Sequence, residues 1–127
     1  MARKILVTLY RDEVAPRFDL CAEVLLVVVD DSGREIRRQD MVLANSSADD
    51  LCDLILDREV AGVITGGIEE EHYHYLRWKR VDVVDAVAGP ADEALARYLE
   101  GRLSAGDILF PREMDASDAE NGEGGDV

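Results

Sequence analysis

Two unbroken apolar runs rich in β-branched residues, KILVTLY at 4–10 and AEVLLVVVD at 22–30, constrain this chain more than any other feature. A strand that is apolar at every position, not only at alternate ones, has to be covered on both faces. The fold must therefore supply a layer above and a layer below the sheet. Between the runs, RDEVAPRFDL carries Pro16 and several charges that break any periodicity, so residues 11–20 read as a long loop. Asp30, Asp31, Ser32 and Gly33 supply turn chemistry, and the charged REIRRQDMVLA that follows reads as an exposed edge strand closing an antiparallel hairpin.

Beyond residue 45 the period changes from two to 3.6. Ser47 and Asp50 form an S-x-x-D capping signal ahead of Ala48, Leu51, Cys52 and Ile55 at helical spacing, which places Cys52 on the buried stripe. VAGVIT at 60–65 is a strand closed by Gly66 and Gly67, a helix is expected over 69–79, and VDVVDAV at 81–87 is a further strand. Gly89 and Pro90 open a third helix, with Asp92 and Glu93 in its first turn and an apolar stripe of Ala91, Ala94, Leu95, Tyr98 and Leu99. A hairpin followed by βα units gives a mixed five-stranded α/β sheet with an N-terminal antiparallel hairpin and helices on both faces. Ligands of such sheets bind beyond the carboxyl ends of the strands. Three loops should meet there, at 10–20, 66–70 and 88–90.

Composition removes several functions. The 127 residues carry 28 acidic and 14 basic side chains, a formal charge of -14 that repels phosphate backbones, so no nucleic-acid partner is expected. No apolar run approaches the roughly 20 residues that span a bilayer, and MARKILVTLY enters a strand without a signal-peptide pattern, so the sequence predicts a cytoplasmic protein with no membrane partner. Cys21 and Cys52 lack CxxC spacing and read as reduced thiols. Residues 1–110 read as one domain, and 111–127, acidic and glycine-rich, as a disordered tail. KILVTLY contains no acid that a two-metal hydrolase would project from its first strand, and no P-loop or nucleophile elbow is present, so the chain is not read as an enzyme.

The candidate site residues converge on the expected crevice. Gly66 and Gly67 either let backbone amides approach an anion or make a tight strand-to-helix turn. Glu69, Glu70 and Glu71 complement the dipole of the helix they begin. His72 and His74 diverge by about 200° on a helix and do not form a pair; His72 shares a stripe with Ile68 and Leu76, and is either a packing residue or, as either imidazole could be, a metal ligand alongside the sulfur of Cys21 or Cys52, of which Cys21 is the better candidate. Arg11 and Arg17 are cations in an acidic chain, placed either to hold an anionic guest or to balance Asp12, Glu13 and Asp19. Arg77, Trp78, Lys79 and Arg80 form a basic-aromatic helix end, and Trp78, Lys79 and Arg80 mark a possible protein-binding patch.

The pattern of KILVTLYRDEVAPRFDLCAEVLLVVVDDSG, then LCDLILDREVAGVITGGI, then VDVVDAVAGPADEALARYL resembles the nitrogenase iron-molybdenum cofactor biosynthesis family, the NifX-like domains, over residues 4–103. The matching features are Val14 to Phe18, Gly66-Gly67-Ile68 and the Val87-Ala88-Gly89 turn. This resemblance implies a ribonuclease-H-like sheet and a small accessory protein that binds, carries or scaffolds an iron-sulfur or iron-molybdenum type cluster. It implies cofactor contacts at Arg11, Arg17, Cys21, Gly66, Gly67, His72 and Gly89, with Cys21 and His72 as metal ligands. The alternative is an interaction module of the same fold without a cluster. Where many relatives have Pro-His-Phe-Gly this chain has Pro16-Arg17-Phe18-Asp19, which puts a cation in place of an imidazole, and Glu69 follows where relatives often continue with Gly-Pro.

Overall fold

A computed structural model describes residues 2–110; the predicted tail at 111–127 lies outside the described residues. The strands are β1 (Arg3–Tyr10), β2 (Glu13–Val14), β3 (Glu23–Val29), β4 (Glu35–Val42), β5 (Gly62–Ile64) and β6 (Asp82–Val84). The helices are α1 (Ala48–Asp57), α2 (Glu70–Trp78) and α3 (Ala91–Leu99), and a short 3-10 turn spans Phe18–Leu20. The sheet order is β4-β3-β1-β5-β6, with β2 attached to β1. β1 pairs antiparallel with β3 and parallel with β5, so the two segments expected side by side are neighbours.

The all-apolar runs are explained by two cores. Alternation in β1 sends Leu6 to one face and Ile5 and Val7 to the other, and in β3 it separates Val24 and Leu26 from Leu25 and Val27. The first face packs against Leu51, Cys52 and Ile55 of α1 and Leu76 of α2; the second packs against Ala91, Ala94 and Leu95 of α3. Full burial of each such Leu, Ile or Val is worth about 1.5–3 kcal/mol, so the layer on each side is held mainly by these stripes. Ser47 caps α1 as expected, its Oγ accepting from the Asp50 amide at 3.3 Å. Pro90 sits one place earlier than expected, at the N-cap of α3.

Among the described residues the sheet has six strands, not five. The extra one, β2, lies in what the sequence presented as loop: Leu9 and Tyr10 pair with Val14 and Glu13 across a two-residue turn. Two residues are too few to show a period, and Pro16 masks them. The pairing is extended by the Ala15 amide donating to the Thr8 carbonyl at 2.8 Å and the Val14 amide to the Gly89 carbonyl at 2.9 Å. Among the described residues no helix is long and apolar enough to cross a membrane.

Candidate functional site

The three expected loops do meet, and main-chain hydrogen bonds join them. Gly66 and Gly67 amides donate to the Ala15 and Pro16 carbonyls at 3.0 and 2.7 Å, and the Phe18 amide donates to the Gly67 carbonyl at 2.8 Å. A Cβ on Gly66 would collide with the Ala15 carbonyl oxygen and stand 2.5 Å from that of Pro16. The glycine there is required by the close approach of two backbones. Because both amides are already engaged, they are not turned toward an anion, and the crevice between the loops is closed by this seam. Gly89, at φ +119, is likewise set by approach: an added Cβ would lie 2.5 Å from the Leu109 carbonyl oxygen.

The open space lies on the outer side of the first loop. A cavity of about 530 Å³ is lined by Leu9, Tyr10, Arg11, Ala15, Pro16, Arg17, Leu20, Cys21, Ala22 and Glu23. Its size is that of ordinary small-ligand pockets. β1 and β2 position Arg11 by forcing it into the turn at φ +59, a left-handed conformation that costs a non-glycine residue about 1–3 kcal/mol. The guanidinium lies 5.4 Å from the Tyr10 ring centroid, and among the described residues it makes no ion pair. Arg17 is fixed at the opposite side by a bidentate contact with Asp19, Nε to Oδ1 at 3.0 Å and Nη2 to Oδ2 at 2.7 Å. That contact, above all its hydrogen bond, holds the Asp19 carboxyl below the usual carboxylate range. Tyr10 and Leu20 are more than half exposed and add apolar surface to the same lining.

Cys21 and His72 are not brought together. Cys21 is buried at the floor of this pocket, its thiol donating to the Glu23 carbonyl, and burial pushes its pKa up, which favours the neutral thiol over the thiolate that metals bind. His72 lines a different cavity of about 310 Å³ with Asp49, Cys52, Asp53, Glu71 and Tyr75. Its Nε2 is 3.5 Å from Asp49 Oδ1, its Nδ1 is buried without a hydrogen-bond partner, and its ring faces Phe18 at 6.4 Å. Phe18, fully buried, belongs to the same core cluster as Cys21 and Cys52. Among the described residues no group of three or more His, Cys, Asp and Glu is arranged to hold a metal ion. The expected ligands Cys21 and His72 line different cavities, and Cys52 is the cysteine that shares the cavity of His72. Tyr10 and Leu20, which the sequence reading passed over, were detectable only as apolar residues in an otherwise charged loop.

Trp78 is 75% exposed at the end of α2, with the Lys79 ammonium 4.9 Å from its ring centroid. This is the placement expected of a residue off the core stripe.

Residues 2–101 match the profile of the dinitrogenase iron-molybdenum cofactor family. No curated protein matches the sequence. Similar solved structures include the protein PH0822, with a TM-score of 0.72 and 18% identity over 80% of this chain and 93% of that one. A candidate dinitrogenase from Methanocaldococcus jannaschii gives 0.66 and 22% over 82% and 94%. The apo form of the orange protein from Desulfovibrio gigas gives 0.63 and 20% over 81% and 92%. At these identities the structures establish the fold, a mixed sheet with helices on both faces.

Proposed function

Given that the chain belongs to the dinitrogenase iron-molybdenum cofactor family, we propose that it is a non-catalytic carrier or scaffold for an anionic iron-sulfur or molybdenum-containing cluster. The guest is held in the pocket of Arg11 and Arg17. The observation that carries this reading is a largely apolar pocket whose lining includes Arg11, without an ion pair among the described residues, and Arg17, paired with Asp19, in a chain of charge -14. A unit anion 4 Å from a cation gains about 1 kcal/mol in open water and about 4 at an effective dielectric of 20, so the apolar lining strengthens the pull of Arg11 above all, the charge of Arg17 being offset by Asp19. The donor set fits a cluster that brings its own sulfide ligands. A cluster ligated jointly by Cys21 and His72 is not favoured, since the two residues line different cavities. Cys21 then acts as the small floor of the pocket, while Gly66, Gly67 and Gly89 hold the rim in place. The ribonuclease-H-like designation and a cytoplasmic location go with the same reading.

The test is anaerobic reconstitution with iron, molybdate and sulfide, followed by absorption and metal analysis. The wild type should give a stoichiometric chromophore, Arg11→Ala combined with Arg17→Ala should lose it, and Cys21→Ala should keep it. A wild type that stays colourless through repeated reconstitution rejects the cluster; loss of the chromophore in Cys21→Ala alone rejects the mode of binding.

The exposure of Trp78 favours a second role, docking of a protein partner at Trp78, Lys79 and Arg80. Replacing Trp78 and Lys79 by alanine should abolish co-purification of that partner, and unchanged recovery would remove this surface from consideration.

A further inference from the structure

We propose that the open edge of β4 is a self-recognition surface, on which a second copy of this chain adds its own β4 antiparallel to form one continuous sheet with a two-fold axis through Gln39. β4 is the last strand on its side of the sheet. Residues 34–40 are all exposed, and α3 meets this border at Asp92, whose Oδ1 accepts from Arg38 Nη1 at 2.8 Å.

The direction of the backbone groups is fixed by the β3 register. The Leu43 amide donates to the Ala22 carbonyl at 2.8 Å, one step beyond the pairs Glu23↔Val42 and Val24↔Met41. In an antiparallel ladder the bonded pairs alternate. Met41, Gln39 and Arg37 therefore bond inward to β3, and the N–H and C=O groups of Val42, Asp40 and Arg38 point out to the open edge.

A two-fold axis perpendicular to a sheet preserves its faces, so each residue must meet a partner of the same parity. With the axis at Gln39, Arg38 opposes Asp40 of the second copy and Asp40 opposes its Arg38. Both are outward-bonding residues, so the two pairs close four main-chain hydrogen bonds. Both also set Asp40 of one copy across from Arg38 of the other, an opposite-charge cross-strand contact added to the hydrogen bonds that Arg38 already donates to Glu35 and Asp92 of its own copy. Val42, 77% exposed, continues the ladder toward Ile36, 58% exposed at the register shift of β4. The segment EIRRQDMV contains two acids and two arginines, so the meeting edges are neutral within a chain of charge -14. An edge selected only to repel other strands would carry a single sign or an inward proline; this one is self-complementary.

Sedimentation velocity of the full chain across a hundredfold concentration range is the test, with hydrogen exchange on the same samples. The expected result is a concentration-dependent dimer in which the amides of Arg38, Asp40 and Val42 exchange at least tenfold more slowly at high concentration, while those of Arg37, Gln39 and Met41 are protected throughout. Asp40→Pro removes one outward donor and leaves the β3 ladder intact, and it should give a monomer with an unchanged circular dichroism spectrum. Asp40→Lys, which sets like charges opposite each other, should do the same if the proline variant fails to fold. A wild type that is monomeric at every concentration overturns the proposal, as does a dimer that survives both substitutions.

Discussion

Gly66 and Gly67 are adjacent in sequence and should respond oppositely to the same substitution. In Gly66→Ala the new methyl meets two main-chain oxygens, of Ala15 and Pro16, which have no rotamer with which to move aside. Forcing a carbon into such a space costs about 1–3 kcal/mol. Separating the strands also weakens the Gly66 to Ala15 hydrogen bond, worth about 0.5–1.5 kcal/mol. Reduced freedom of the unfolded chain returns about 0.4–1 kcal/mol. The net is a loss of about 2 kcal/mol, or roughly 10 °C in Tm for a domain of this size. For Gly67→Ala the methyl lies 3.5 Å from the Pro16 carbonyl oxygen, an ordinary contact, and φ is not in the left-handed region. Only the unfolded-state term remains, so this variant should match the wild type or exceed it by about 0.5 kcal/mol. Urea denaturation with a common m value measures both. Equal destabilisation by the two substitutions would refute the close-approach argument. Loss of the reconstituted chromophore in a fully stable Gly67→Ala would restore a direct role for that amide in holding the guest.

Burial pushes the Cys52 thiol up to about 11 from its ordinary 9.0. The unfolded chain therefore ionises first, and stability that is intact below pH 9 should fall by roughly 2–3 kcal/mol as pH rises to about 11; Cys52→Ala should flatten that limb in pH-dependent thermal melts. Thr8 Oγ1 donates to Thr65 Oγ1 at 3.0 Å with both residues fully buried. Thr65→Val should cost about 1–3 kcal/mol by leaving one hydroxyl unpaired, and the Thr8→Val, Thr65→Val double variant should cost less than the two singles together, as a denaturation cycle would measure. Ser47→Ala removes the α1 cap and should cost about 1 kcal/mol in the same assay, with no effect on chromophore binding.

Strand and helix order was legible because each element announces itself through several residues. KILVTLY and AEVLLVVVD show continuous burial, Ser47 and Pro90 mark helix starts, and the Leu51, Cys52, Ile55 stripe fixes the inner face of α1. β2 was not legible, since a two-residue strand has no period, its hairpin partners Leu9 and Tyr10 belong to a run already read as one strand, and its other main-chain partner, Gly89, lies far along the chain. The convergence of Arg11, Arg17 and Cys21 followed from the sheet topology alone. What the sequence left open was which side of the loop is empty: both glycine amides face the Ala15 and Pro16 carbonyls, and that can be seen only when the main chains are in register. His72 lies on the stripe with Leu76, beside Asp49 of α1, and lines a different cavity from Cys21.

β1 is laced to a neighbour along both borders, with β3 on one side and β5 and β2 on the other. The tip that carries Arg11 thus inherits the stiffness of the middle of the molecule and behaves as a rigid socket. On the proposed function, a change of guest calls for exchanging two or three contacts at that tip, with no rebuilding of the frame beneath it.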